Sequence, residues 1–288
     1  MRLSTNTDVL AKEFGLQKAV EILIDAGFDA IDFSQFAEEF YSDVHEKSFY
    51  TEIRKFVEDK GVYFNQAHAP FGSSFFDAEK TEKRFHEIVE SMRIASYLGV
   101  KQTIVHPCTH LVFDDPGAPE ELYEINMNFY RRLIPYCEEY GIKVAVENMW
   151  DSRSGVIGHC VCSRPAEFVR YMDDLDDEHF VACLDIGHAV LVREKPDDMI
   201  RALGNKRLKA LHVHDVDGSR DSHTLPFYGV ANWEKVMKAL GEINYQGDLT
   251  FEATNFYSAP PVLWASASKY MADVGKYLIS RIETHRAK

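Results

Sequence analysis

Four short apolar runs each end on a side chain able to bind a metal ion or move a proton: Glu147 in KVAVENM, Asp185 in FVACLDIG, His212 in LKALHVHD and Glu252 in DLTFEAT. In an extended strand, residues i and i+2 share a face. Val144 and Val146 then lie opposite Ala145 and Glu147, and Ala182 and Leu184 opposite Cys183 and Asp185. Leu211 and Val213 likewise lie opposite Ala210 and His212, and Leu249 and Phe251 opposite Thr250 and Glu252. Each run has one apolar face and, late on the other, a carboxylate or an imidazole. Buried carboxylates repel one another and need a counter-charge. The lysines of these strands, Lys143 and Lys209, stand at the early ends. A divalent cation meets the need; an ion-pair or hydrogen-bond network is the alternative. Three carboxylates and one imidazole suit Mn²⁺ or Mg²⁺ and can also hold Zn²⁺ or Co²⁺.

Other side chains gather near the same strand ends. His68 follows Gln66 in VYFNQAHA, and His106 follows Ile104 in KQTIVHP. For both, a place in a pocket wall without a metal is the alternative to ligation. His188 comes after Asp185 and a glycine, where it can meet a substrate oxygen or simply start a helix. His214 is inward by parity but lies past His212, so a structural role in a loop is expected. Trp150 can line a pocket or pack against the barrel. Phe71, Phe75 and Phe76 follow AHAP and are placed to form a lid. Asp173, Asp174, Asp176 and Asp177 form a charge run expected at a solvated helix end.

Side chains that converge must be carried by elements pointing the same way. Eight strand-like runs alternate with helical patterns along the chain: the four above preceded by RLSTNT, AIDFSQF, VYFNQAHA and KQTIVHP. Between them, Val20, Leu23 and Ile24 form an apolar stripe with Gly27 as the cap, and residues 80–99 place a stripe that stops at Gly99. One helix is predicted over 119–141, ending at Gly141. Another is predicted from Trp233 to Leu240, capped by Asn232 and stopped by Gly241, with a last helix within 263–286. Eight βα units without a long linker predict a (β/α)8 barrel, one domain over residues 1–288, with the polar strand ends at its C-terminal mouth. An open doubly wound sheet would want a glycine-rich phosphate loop after the first strand, and STNTDVLAKEFG has one glycine, too late.

Composition agrees with a soluble enzyme-sized fold: 288 residues, 45% hydrophobic and 27% charged. No apolar run approaches the roughly 18 residues that suggest a bilayer span. The N-terminus lacks the charged start and apolar core of a secretory signal. Five cysteines at irregular spacing argue against a disulfide framework, and Cys160 and Cys162 form only a CxC pair. A cytoplasmic location is expected. A net charge of −14 argues against a large nucleic-acid face, and Arg131–Arg132 is the nearest approach to a basic cluster. Assembly is left open, with a homodimer to be tested.

The motifs AHAP, VHP, VAVEN, LDIGHA, LHVHDVDG, DSH at 221–223 and FE in the last strand, in that order, resemble the xylose isomerase-like TIM barrels. That family holds sugar isomerases, ketose 3-epimerases, dehydroshikimate dehydratases and the endonuclease IV branch. The resemblance covers roughly two-thirds of the chain, from 67 to 254. It implies shared metal ligands at Glu147, Asp185, His212 and Glu252, with Glu147 and Glu252 also the acid/base pair. It implies substrate contact at His188. In the endonuclease branch, additional metals would use His68, His106, His188, Asp221 and His223. A substrate-binding arginine found in ketose 3-epimerases has Arg220 as its nearest counterpart, though not at the family's spacing. LPFYGVANW replaces the usual Pro-Gly-rich turn, so Phe227 and Tyr228 are expected to make the pocket more apolar or more closed.

The activity so implied is metal-dependent isomerisation or epimerisation of a sugar or polyol-ketone through an enediolate. The alternatives are a dehydratase-type lyase, a three-zinc phosphodiesterase and a non-catalytic sugar-binding barrel. Both glutamates are present, which speaks against the last.

Overall fold

In the computed structural model, residues 1–176 and 178–286 are described; Asp177, the last of the charge run, lies outside them. The eight expected strands are present: β1 (Leu3–Asn6), β2 (Ala30–Ser34), β3 (Tyr63–His68), β4 (Gln102–Ile104), β5 (Lys143–Glu147), β6 (Phe180–Asp185), β7 (Leu208–His212) and β8 (Leu249–Phe251). All neighbouring pairs are parallel, and β8 pairs with β1. A bridge between Val213 and Phe251 closes β7 onto β8, with Val213 N donating to the Thr250 carbonyl at 2.8 Å. The fold is a single-domain (β/α)8 barrel.

The outward strand faces pack under the helices and the inward faces fill the barrel. Val144, Val146, Ala182, Leu184, Leu211, Leu249 and Phe251 belong to the large outer core. Ile104, Ala145, Val181, Cys183 and Ala210 form a separate small inner cluster. Two bulges break the simple alternation. Ile31 pairs with Phe64 but Asp32 pairs with Gln66, so Asn65 is an inserted residue. Ala182 pairs with Leu208 but Cys183 with Ala210, which inserts Lys209. An inserted residue flips the faces on either side of it. Phe64 therefore joins the outer core, while Asn65 turns inward to accept from Ser4 Oγ (2.8 Å) and donate to Thr250 Oγ1 (3.0 Å).

The helices follow their patterns with two corrections. The stretch 119–141 is two helices, Ala118–Arg131 and Ile134–Tyr140. Pro135 has no N–H to donate and its ring would crowd the carbonyl of Arg131, so one continuous helix cannot pass. Gly241 does not stop its helix, which runs Trp233–Glu242 from the Asn232 cap. It is a close-approach glycine: a Cβ there would lie 2.5 Å from His285 Cβ and 2.8 Å from the Ile282 carbonyl on the last helix, Trp264–Thr284. Gly27 does cap its helix in the left-handed region (φ 96°). A short antiparallel hairpin, Trp150–Asp151 with Gly158–His159, rises from the mouth after β5 and was not expected. All five cysteines are buried and free. No helix among the described residues is long and apolar enough to cross a membrane.

Candidate metal centre at the barrel mouth

Glu147, Asp185 and His212 are the last residues of β5, β6 and β7, and Glu252 follows β8 directly. One potential ligand atom from each lies within 4.8 Å of the others. His212 Nδ1 is 3.2 Å from Glu147 Oε1, 3.6 Å from Glu252 Oε2 and 3.8 Å from Asp185 Oδ2. Metal–ligand bonds of about 2.0–2.2 Å at tetrahedral to octahedral angles separate neighbouring ligand atoms by roughly 3.0–3.5 Å, so small shifts would seat a cation. Glu147 Oε2 and His212 Nδ1 are buried without a hydrogen-bond partner, although such groups are normally satisfied. Donor set, spacing and orphaned atoms all fit a divalent cation.

The ligand side chains are held from behind. Asn148 accepts from Asp185 N (2.7 Å) and donates to the Asp185 carbonyl (3.0 Å), clamping β5 to β6. Asp185 Oδ1 accepts from His188 N at 2.7 Å, and His214 Nε2 lies 3.0 Å from Asp185 Oδ2. His214 thus has the structural role expected of it past the end of β7, as a buried positioning group for Asp185. Gly187 makes room for it, since a Cβ there would lie 2.0 Å from His214 Cε1. Asp32 Oδ2 meets both His68 Nδ1 and Gln66 Nε2 at 3.0 Å, and Gln66 Nε2 is 3.4 Å from His212 Nε2. Such carboxylate–histidine pairs fix ring orientation around metal sites. Asp32 was missed in the sequence although AIDFS points Ala30, Asp32 and Ser34 to one face.

Two further groups adjoin the centre. His68, His106 and Glu147 also bring ligand atoms within 4.8 Å of one another, with His106 Nε2 3.2 Å from Glu147 Oε2. Asp221 Oδ2 lies 3.3 Å from His188 Nε2 and 3.0 Å from His223 Nε2. Arg220 does not join them: its exposed guanidinium pairs with Asp217 (3.1 Å) on the loop, because the chain turns there before Asp221 comes back to the mouth.

A cavity of about 370 Å³ opens above the centre. Glu147, Glu252, Asp221, His106, His188 and His223 line it, with Asn6, Asp8 and Thr254 at the side. Phe36, Phe71, Met149 and Trp150 give it an apolar wall, and none of its lining residues is lysine or arginine. Phe71 sets its ring edge-on to His106 at 4.7 Å, whereas Phe76 is exposed beside His110 and Phe75 faces Lys80. Of the expected lid only Phe71 reaches the site. Phe227 and Tyr228 do not intrude. Both are about half exposed or more, and Phe227 packs with Trp233 and Tyr277, since Asp215 gathers this loop by accepting from Phe227 N, Ala231 N and Trp233 Nε1. Asn6 ends β1 on the same face as Ser4, a parity the sequence offers, whereas Asp8 opens a helix and Phe36 lies in a loop, with no period to betray them.

Burial acts to raise the Glu147 carboxyl, but the charges of His212 and His106 overcome it and hold it well below the usual range. Asp185 is lowered in the same way, His188 and His214 outweighing its burial. Burial works against protonated His212 and His188, and the surrounding acids raise both well above the ordinary histidine value. Burial and then the charge of Glu252 push the Asp8 carboxyl up. A bound cation would supply the positive charge that these carboxylates require.

Barrel, mouth cavity and ligand constellation together define a (β/α)8 protein built around a metal-type centre. A family model described as xylose isomerase-like TIM barrel matches residues 20–274, and the chain belongs to that family. The uncharacterised protein MJ1311 of Methanocaldococcus jannaschii is 29% identical over 198 residues, covering 67% of this chain and 65% of its own length, just under two thirds. Among solved structures, a D-tagatose 3-epimerase-like protein is 23% identical with a TM-score of 0.77 over 99% of both chains. An IolI protein with a bound zinc atom is 17% identical with a TM-score of 0.76 over 100% of both.

Proposed function

We propose that the protein is a divalent-metal-dependent isomerase or epimerase acting on an unphosphorylated ketose or polyol-ketone. The carrying observation is that Glu147, Asp185, His212 and Glu252 converge within 4.8 Å beneath a cavity whose lining has no lysine or arginine. Phosphate groups are bound chiefly by such cations and by helix N-termini, so an uncharged polyol fits this lining better. The sugar epimerases among the structural neighbours support the reading.

A divalent cation, which the four side chains would hold, would supply Lewis-acid polarisation of the substrate carbonyl and so acidify the hydroxyl-bearing carbon next to it. Glu147 and Glu252 come from non-adjacent strands and can flank the substrate carbon. One removes a proton to give the enediolate and the other returns one. His188 holds a substrate oxygen. Phe36, Phe71 and Trp150 cover the apolar edge of the sugar and keep bulk water from the enediolate. Mn²⁺ or Mg²⁺ suits the oxygen-rich set, and the zinc of the IolI neighbour keeps Zn²⁺ in view.

The two adjoining groups, His68–His106–Glu147 and His188–Asp221–His223, favour a second reading, a three-metal phosphodiesterase. Counting bound metal by mass spectrometry and screening unphosphorylated ketoses for new isomers separates the two. One ion per chain with interconverted sugars is the expected result. Three ions per chain with phosphodiester cleavage would favour the second reading, and loss of both activities would remove the proposal.

A further inference from the structure

We propose that the base of the barrel is a second binding site, for a small polyanion bearing phosphate groups, with Lys101 and Lys209 as its principal cations. A cavity of about 630 Å³ opens there, larger than the one at the mouth. Lys101, Lys143, Lys206 and Lys209 line it from four elements: the loop before β4, the start of β5, the last turn of the helix Pro196–Arg207, and the start of β7. Two acids share the lining, and both are already engaged. Glu58 accepts from Arg54 Nε at 2.7 Å, and Asp248 accepts from Arg2 N and from the Tyr63 hydroxyl. Lys101 makes no ion pair among the described residues. Lys209 Nζ donates to the Asn205 carbonyl and makes no ion pair among the described residues.

The backbone is also shaped toward this cavity. Both bulged residues of the barrel, Asn65 and Lys209, line it. Each bulge forgoes a regular ladder position, and each turns a polar residue to the base that ordinary alternation would have placed elsewhere. Burial, and then the charge of Lys143, lower the pKa of Lys209. A polyanion would set an opposing charge beside Lys209, and lysine is a compact point charge well matched to phosphate oxygens. Gln102 and Gln246 offer neutral donors on the same wall. In a chain of net charge −14, such a local group of cations makes the base the place where an anion is drawn in.

Pyrophosphate is the probe. The full chain is lightly acetylated on its amines in pyrophosphate and in chloride of equal ionic strength, and each lysine is read by peptide mass spectrometry. At a concentration ten times the dissociation constant, labelling of Lys101 and Lys209 should fall roughly tenfold, while exposed Lys235 and Lys269 stay unchanged. Calorimetry with the Lys101→Met/Lys209→Met double variant should show pyrophosphate binding weakened at least about tenfold. Any metal that pyrophosphate withdraws from the mouth is common to both proteins, so their difference reads the base alone. Equal labelling in the two salts overturns the proposal, as does undiminished calorimetric binding by a variant with wild-type circular dichroism. If the variant does not fold, the labelling of the wild-type chain decides. No turnover is measured, so the outcome is independent of the reading of the mouth.

Discussion

The strand β5 begins on Lys143 and ends on Glu147, and β7 begins on Leu208–Lys209 and ends on His212. The same strands thus present cations at the base and metal-type ligands at the mouth, with Ala145, Cys183 and Ala210 between them. The mouth gathers carboxylates and the base gathers ammonium groups. The ligands proposed for them are therefore opposite: a cation at the mouth and an anion at the base. Four rises, about 13 Å, separate Lys143 from Glu147 along the strand, farther than the roughly 8–10 Å over which solvent-exposed charges interact at physiological salt. The two ends should therefore act independently.

The largest expected effect is at the mouth. Glu147→Gln keeps the shape and one oxygen ligand but removes a proton carrier, and kcat on the sugar substrate should fall by about 10²–10⁴-fold. A loss confined to KM would show that Glu147 only helps to bind.

The next effect concerns the support behind the ligands. Gly187→Ala should drive a methyl group into His214 and release Asp185, lowering divalent-metal affinity by about 10–100-fold in a fluorescence competition titration. His214→Ala should do the same without the clash. If Gly187→Ala alone weakens metal binding, backbone strain and not the His214–Asp185 contact is the cause.

A third prediction sharpens what the histidines do for a buried carboxylate. Glu167, in the first turn of the helix Pro165–Asp174, is half-buried with one carboxylate oxygen enclosed, has no imidazole beside it among the described residues, and is pushed up to about 7 by its partial burial. Between its ordinary value of 4.5 and about 7, the folded state holds the extra proton, so stability falls as pH rises through that window. Glu167→Gln should flatten this slope and raise stability at pH 8 by at most on the order of 3 kcal/mol, read by denaturant melts at pH 4.5 and 8. Parallel pH curves for wild type and variant would mean that burial alone does not raise Glu167.

The smallest effect tests the independence of the ends. Lys101→Met/Lys209→Met should leave metal affinity at the mouth unchanged within about twofold. A larger change would show that the two ends are coupled through the barrel.

Strand parity made the mouth legible before any coordinates. An alternating face is enforced by the pleat, so Glu147, Asp185, His212 and Glu252 could be placed on one side of the wall from their spacing. The same rule fails at Asn65 and Lys209, because an inserted bulge residue leaves no mark in an apolar run. Lys143 and Lys209 were visible as early-strand cations, but Lys101 and Lys206 join them only once the barrel closes. His214 shows the middle case: its inward parity was readable, while its burial against Asp185 depended on the bridge that ties Val213 to Phe251. Arg220, Phe227 and Tyr228 were misjudged because loop direction there is set by hydrogen bonds to Asp215 and Asp217 rather than by any period. The break at Pro135 was readable and was passed over in favour of a continuous apolar stripe.

The central claim is that Glu147 and Glu252 move a substrate proton while all four mouth side chains hold one cation. The most direct measurement is exchange of the substrate's carbon-bound hydrogen in deuterated solvent, followed by NMR as metal is titrated into wild type, Glu252→Gln and His212→Ala. Wild type should exchange in proportion to bound metal, Glu252→Gln should bind metal yet exchange at least about 100-fold more slowly, and His212→Ala should lose metal first and exchange with it. Exchange at the wild-type rate in metal-loaded Glu252→Gln would make Glu252 a ligand only and contradict the two-carboxylate account.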